Sequence, residues 1–139
     1  MAFIVPQIFP VMNYYFSTTL ALDFEKAIEV TTAALKEEGF GVLTEIDIAQ
    51  TMKKKLDVDL PKYKILGACN PQYAYKALQA ENKIGTMLPC NVIVQDMGEG
   101  KIEVSAVNPM ASMQAVENPE LGALAEEVTE KLKRMIARL

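Results

Sequence analysis

Two cysteines are the residues of this chain best suited to chemistry near neutral pH. Cys69 lies in the run Gly67-Ala68-Cys69-Asn70-Pro71, and Cys90 lies in Leu88-Pro89-Cys90-Asn91. Thiolates act as nucleophiles, as redox groups and as ligands of soft metals. The chain contains no histidine, so general acid–base catalysis by histidine is excluded.

Cys69 is placed by the sequence at the end of a strand and just before a helix. Unpaired amides and the helix dipole at such a position lower a thiol pKa and attract anions. Asn70 could donate its side-chain amide to a bound anion or a carbonyl oxygen. The alternative is that Cys69 is a small buried apolar residue, with Gly67 and Ala68 allowing close packing.

Cys90 could join Cys69 only if the fold brought the two together. Two thiolates and a thioether would suit Cu(I). However, a strand, a returning helix and the next strand normally run parallel, which predicts that the cysteines lie at opposite sheet edges, roughly 15–20 Å apart. The connection 83–89 doubling back, or a partner subunit, would be needed to pair them. Met110 and Met113 are interpreted as core filling rather than as thioether ligands.

The remaining candidates surround the same predicted helix start. Tyr73 is expected to pack inward and Tyr75 to reach a ligand. The full predicted ligand-binding set is Cys69, Asn70, Pro71, Tyr75, Cys90 and Asn91. We predict no catalytic residue, no metal site and no cofactor, since neither a phosphate loop nor a dinucleotide fingerprint is present.

The elements that position these residues alternate between β-rich and helical patterns. Strands are predicted at 14–20, 40–46, 63–68, 91–95 and 101–107. Helices are predicted from the caps Asp23, Asp47, Asn70 and Asn118, and glycines form a hairpin turn at 96–100. The order predicts an α+β fold: a two-layer α/β sandwich with one mixed sheet of about five strands and helices mostly on one face.

The overall composition narrows the classes of partner. The chain has 139 residues, half of them hydrophobic, with a net charge of −4. This length suits one domain, and the apolar fraction leaves room for a homodimer interface. The acidic balance argues against binding to nucleic acid or to an anionic membrane surface. Two cysteines without a secretory signal give no disulfide framework, and we expect a cytoplasmic protein.

Residues 1–12 are predicted to form an N-terminal arm ahead of a single domain at 13–139. The arm is apolar, but Pro6 and Pro10 break it and no basic region precedes it, so it is predicted to be neither a signal nor a membrane anchor. One hypothesis is that Met12 is the natural start. The other is that the arm packs on a neighbouring subunit through the apolar side chains of Phe3, Ile4, Ile8 and Phe9.

Three separated segments resemble a known family: Ala34–Asp47, Tyr63–Pro71 and Ile84–Val92. In order and spacing they are similar to the family catalogued as domain of unknown function 302, a group of small bacterial and archaeal proteins. The likeness runs from about Asn13 to the hairpin near Val107. The resemblance implies a compact two-layer α/β fold and commonly a dimer, and it implies no reaction.

Two hypotheses of function follow from the sequence. The first is a non-enzymatic cytoplasmic homodimer that binds a small molecule or a protein partner at the Cys69-Asn70-Pro71 junction. The alternative is a cysteine-dependent protein, for thiol redox chemistry or for handling a soft metal such as Cu(I).

Overall fold

Helices cover one face of a five-stranded sheet in the computed structural model, which describes residues 13–139. The predicted arm at 1–12 lies outside the described residues. The strands are β1 (Tyr15–Leu20), β2 (Gly41–Asp47), β3 (Tyr63–Cys69), β4 (Cys90–Gly98) and β5 (Lys101–Val107). The helices are α1 (Phe24–Glu37), α2 (Ile48–Leu56), α3 (Pro71–Ala80), α4 (Pro109–Ser112) and α5 (Pro119–Ala137), with a 3-10 helix at Asn82–Met87. The predicted fold class is confirmed.

The strand directions differ from the prediction of a mixed sheet. The order is β1-β5-β4-β3-β2, and every neighbouring pair is antiparallel. The inference that β3 and β4 run parallel was wrong. Ala68, near the end of β3, lies opposite Cys90 at the start of β4. The two helical segments between these strands therefore do not cross the sheet, and β4 begins at the end of the sheet where β3 stops.

Alternation along the strands separates a helix-covered face from an open one. Leu66, Val92 and Val104 point to the covered face and are fully buried against α1 and α5. Leu35 and Leu132 contribute the helical side of this core. A second, smaller cluster joins α3, the 3-10 helix and α5 through Ala77, Ile84 and Leu121. In residues 13–139, no helix is both long enough and apolar enough to cross a membrane.

The helix starts follow the capping pattern of the sequence. Asp23, Asp47 and Asn118 each accept a hydrogen bond from a backbone amide in the first turn that follows. Gly39 has φ +87°, the left-handed conformation expected of a glycine that ends a helix. The helix predicted from Asn70 towards Gly85 instead ends at Ala80, and 3-10 geometry follows.

Glu38 joins α1 to α5 through a buried carboxylate, its side chain only 5% exposed. Oε1 accepts from Arg134 Nε at 2.8 Å, and Oε2 accepts from Arg138 Nη2 at 2.8 Å. The hydrogen bond from Arg138 and the contacts with Arg134 lower the pKa of Glu38 despite the opposing effect of burial.

Replacing Glu38 should destabilise the fold in a pH-dependent way. Because the folded-state pKa is lowered, the stabilising contribution is present above the unfolded-state pKa and is lost as pH falls through the folded value. Glu38→Gln should reduce the free energy of unfolding by about 2 kcal/mol at pH 7, and the difference should shrink as pH falls below the ordinary glutamate pKa and through the lowered folded value. Urea unfolding followed by circular dichroism measures this, with the neighbouring exposed residue changed in Glu37→Gln as control. A constant difference down to acidic pH would contradict the charge-based explanation.

Candidate functional site

An apolar cavity of about 300 Å³ lies where the ends of β3 and β4 meet α3 and α5. Ala68, Cys69 and Cys90 form its sheet side, and helix residues such as Ala77 and Ala125 form the opposite walls. Pro109 and Met113 line the side next to α4. Small side chains on both helices leave space where larger ones would fill a core.

The two cysteines are brought to the same cavity by the antiparallel pairing of β3 and β4. Cys90 lies opposite Ala68 on the neighbouring strand, and Cys69 directly follows Ala68 in the sequence. Both are partly buried free thiols. The prediction of a separation along the full strand length was therefore wrong, because it depended on parallel strands.

The Cys90 thiol is held in its protonated form. Burial raises its pKa to about 11, and the charge that a neighbouring Cys69 thiolate would carry contributes in the same direction. At neutral pH the uncharged Cys90 thiol therefore contributes a mostly apolar surface to the cavity wall and is a poor nucleophile.

Asn70 lines the cavity but uses its side chain to hold the backbone. Its Nδ2 donates to the carbonyl oxygen of Glu38 at 3.3 Å, and the side chain does not cap α3. A Cβ at Gly39 would come within 3.1 Å of that same nitrogen, so glycine also allows this close approach. The interaction connects the start of α3 to the end of α1.

Three of the predicted site residues do not line the cavity. Pro71 occupies the first turn of α3, and Tyr75 is 64% exposed on the outside of that helix. Asn91 points to the open face of the sheet, where it lines a separate groove. The structure thus brings together Cys69, Asn70 and Cys90 of the predicted set.

Leu43 is a cavity residue that the sequence interpretation missed. The pairing of β2 with β3 shifts register between Val42 and Thr44, which makes Leu43 the extra residue of a β-bulge. Bulges redirect a side chain on an edge strand, and Leu43 is 67% exposed while also lining the cavity. It therefore forms part of the rim. An unbroken strand pattern gives no sequence signal for this shift.

Tyr73 was expected to pack inward, but it also lines the cavity, as do several apolar residues of α5. The pKa of Tyr73 is raised, first by a side-chain hydrogen bond to Glu127 and then by burial and the charge of that carboxylate. The Tyr73 hydroxyl on α3 thus faces the Glu127 carboxylate on α5. Helical periodicity identifies the buried face of a helix, but it does not reveal whether the element facing it fills the space between them.

The chemical character of the site favours apolar contacts. Among the described residues that line it, the polar side-chain groups are two thiols, the Tyr73 hydroxyl and an asparagine amide that already has a backbone partner. Within residues 13–139, no three acidic, cysteine or histidine side chains are grouped to hold a metal ion.

Comparison with known proteins supplies the family. The sequence model of the family described as "Domain of unknown function DUF302" matches residues 16–139. The chain belongs to this family. The match extends beyond the hairpin near Val107, where the sequence resemblance ended, and includes the C-terminal helix.

A solved structure of the same family has the same fold. The crystal structure of an uncharacterized conserved DUF302 protein from Bacillus stearothermophilus is 25% identical, with a TM-score of 0.82. The alignment covers 90% of this chain and 97% of that one. No curated protein matches the chain.

The raised pKa of Cys90 predicts slow alkylation. In a Cys69→Ser variant, iodoacetamide should modify Cys90 on the order of a hundredfold more slowly at pH 8 than an ordinary thiol, because little thiolate is present. The rate should still increase with pH well above the ordinary thiol pKa, because burial, the larger cause of the shift, remains in this variant. Mass spectrometry of timed samples gives the rate, and the same variant in urea is the free-thiol control. Equal rates in folded and unfolded protein would contradict the burial of Cys90.

Proposed function

We propose that this chain is a non-catalytic binding protein for a small, uncharged apolar molecule, held in the cavity beside Cys69 and Cys90. The single supporting observation is the cavity itself, which has apolar walls and a rim that reaches solvent at Leu43. Protein ligand sites are typically concave and mostly apolar, with a few polar groups that fix orientation.

The size of the cavity limits the ligand. A dry apolar cavity of ~150 Å³ accepts benzene, so about 300 Å³ accommodates a molecule of roughly a dozen heavy atoms. A bicyclic aromatic or a medium-length acyl chain fits this limit. A charged ligand would lose its hydration without gaining an ionic partner inside the cavity.

The energetic cost of the cavity supports a binding role. An entirely closed void of this volume would cost roughly 7 kcal/mol, taking about 24 cal/mol for each Å³. A domain of this size has only about 5–15 kcal/mol of net stability. A rim open to solvent reduces that cost, and an apolar ligand would recover the missing contacts.

Filling the cavity should prevent ligand binding. Ala125 is buried on the cavity side of α5, and Ala123 is exposed on the same helix. Ala125→Leu should lower the affinity for the uncharged fluorescent probe 1-aminonaphthalene at least tenfold, whereas Ala123→Leu should leave it unchanged. Fluorescence titration measures both. Equal affinities in the two variants, or no binding to the original chain, would contradict the proposal.

A second candidate function is the handling of a soft metal such as Cu(I). It is supported by the presence of Cys69, Cys90 and Met113 in the walls of one cavity. Two thiolates and a thioether form a soft ligand set. The metal would have to displace the proton of Cys90, whose pKa is about 11, so binding would weaken as pH falls.

A Cu(I) competition assay tests this candidate. If it is correct, Cys90→Ser and Met113→Leu should each lower the apparent affinity measured against bicinchoninate, and affinity should increase with pH. Met97→Leu is the control, because Met97 is exposed and is not among the described residues that line the cavity. Affinity no tighter than that of the urea-unfolded chain would reject the metal role.

The homodimer expected from the sequence stays a prediction. Sedimentation velocity at two protein concentrations tests it independently of ligand binding. A single species with the mass of one chain at both concentrations would reject it.

A further inference from the structure

Sulfur-bearing side chains from three different parts of the fold line the apolar cavity. Cys69 ends β3, Cys90 begins β4, and Met113 directly follows α4. The thioether of methionine is polarisable and makes favourable contacts with aromatic rings, and a cysteine thiol adds a weak S–H donor to an otherwise apolar surface. A wall of this kind favours an aromatic occupant over an aliphatic one.

The sulfur-bearing residues are anchored in separate packed regions. Cys90 packs against the larger buried cluster, and Met113 packs against the smaller one that contains Ile84. The backbone amide of Met113 also donates to the carbonyl oxygen of Pro109 at 3.0 Å. Because both residues border the same cavity, a bound ring would meet sulfur on more than one part of the wall.

The charge state of Cys90 suits contact with a ring. Burial raises the pKa of its thiol to about 11, so the sulfur carries a proton and no charge at neutral pH. A thiolate would repel the electron-rich face of an aromatic ring, whereas an S–H group is attracted to it.

The helical walls of the cavity suit a flat molecule. Ala74 and Ala77 are three residues apart on α3 and therefore share a helix face, and Ala125 contributes to the wall from α5. An alanine side chain ends at its Cβ, so these parts of the wall have little relief. A planar ring can make dispersion contacts with such a surface over its whole face.

Rigidity distinguishes a fused ring from an acyl chain of similar size. A flexible chain loses rotational freedom about its bonds on binding, whereas a fused ring system has none to lose. An acyl chain with a charged head would also need an ionic partner, and the described residues that line the cavity include no charged side chain. Both arguments favour the ring.

We propose that the cavity binds a planar aromatic molecule, and that the sulfur atoms of Cys69, Cys90 and Met113 select it over a saturated molecule of the same skeleton. This inference rests on the proposed apolar-binding function and names the chemical class of the ligand.

A pair of matched ligands tests this selection. 1-Naphthol and decahydro-1-naphthol share a bicyclic skeleton and a hydroxyl group, both are uncharged at neutral pH, and only the first is aromatic. Isothermal titration calorimetry gives the ratio of their affinities. Met113→Leu nearly conserves side-chain volume but removes one sulfur, so it should lower the ratio of naphthol to decahydronaphthol affinity about two- to tenfold. Met97→Leu, at an exposed position that is not among the described cavity residues, should leave the ratio unchanged.

The reciprocal exchange adds sulfur to the same wall. Leu124 lines the cavity from α5, and Leu124→Met should raise the affinity ratio about two- to tenfold. Circular dichroism verifies that the variants are folded. Binding of both ligands with the same ratio in the original chain and in Met113→Leu would overturn the aromatic preference and leave the apolar-binding function standing. Binding of neither ligand would reject that function itself. If Met113→Leu does not fold, an unchanged ratio in Leu124→Met overturns the preference instead.

Discussion

The arrangement of the helices depends on one buried acidic residue. The carboxylate of Glu38 binds Arg134 and Arg138 of the C-terminal helical region, and its backbone carbonyl accepts the side chain of Asn70. Three segments of the covered face therefore converge on a single residue at the end of α1. A buried carboxylate without partners would cost several kcal/mol, so this geometry tolerates little displacement. The constraint fixes where α3 starts relative to α5.

The cavity follows from that constraint. Two helices that face each other through small side chains would normally approach until the space between them closed. Here α3 is attached to α1 at Asn70, and its Tyr73 hydroxyl faces the Glu127 carboxylate of α5. These polar contacts lie at the cavity boundary and set the helix positions independently of how well the cavity side is packed. The walls can therefore stay apart without a filled interior.

Local structure was predictable because it depends on nearby residues. Asp23, Asp47 and Asn118 cap helices as their sequence contexts predicted, and Gly39 ends α1. The predicted separation of Cys69 and Cys90 was wrong because strand direction depends on where the intervening helices pack. The rule for strand–helix–strand units predicts a parallel crossover, but α3 and the 3-10 helix pack against α5 at one end of the sheet.

The candidate site shows the same division between local and long-range information. Asn70 was correctly placed at the start of α3, yet its amide serves the backbone of Glu38, a residue distant in sequence. Leu43 reaches the rim through a bulge that no alternation pattern indicated. Ala77 and Ala125 fit a buried helical stripe equally well whether the facing space is full or empty. The existence of a cavity therefore could not follow from the sequence pattern.

The same burial that makes the cavity suitable for apolar molecules disfavours thiol chemistry at Cys90. Removing water from the sulfur penalises the thiolate and raises its pKa to about 11. A nucleophilic or redox cysteine requires the opposite environment, with partial exposure and nearby positive charge. Among the described residues that line this cavity there is no lysine or arginine. An apolar ligand needs no ionised group, whereas Cu(I) must compensate for the loss of the Cys90 proton. For this reason the cavity is better matched to apolar binding than to the soft-metal alternative.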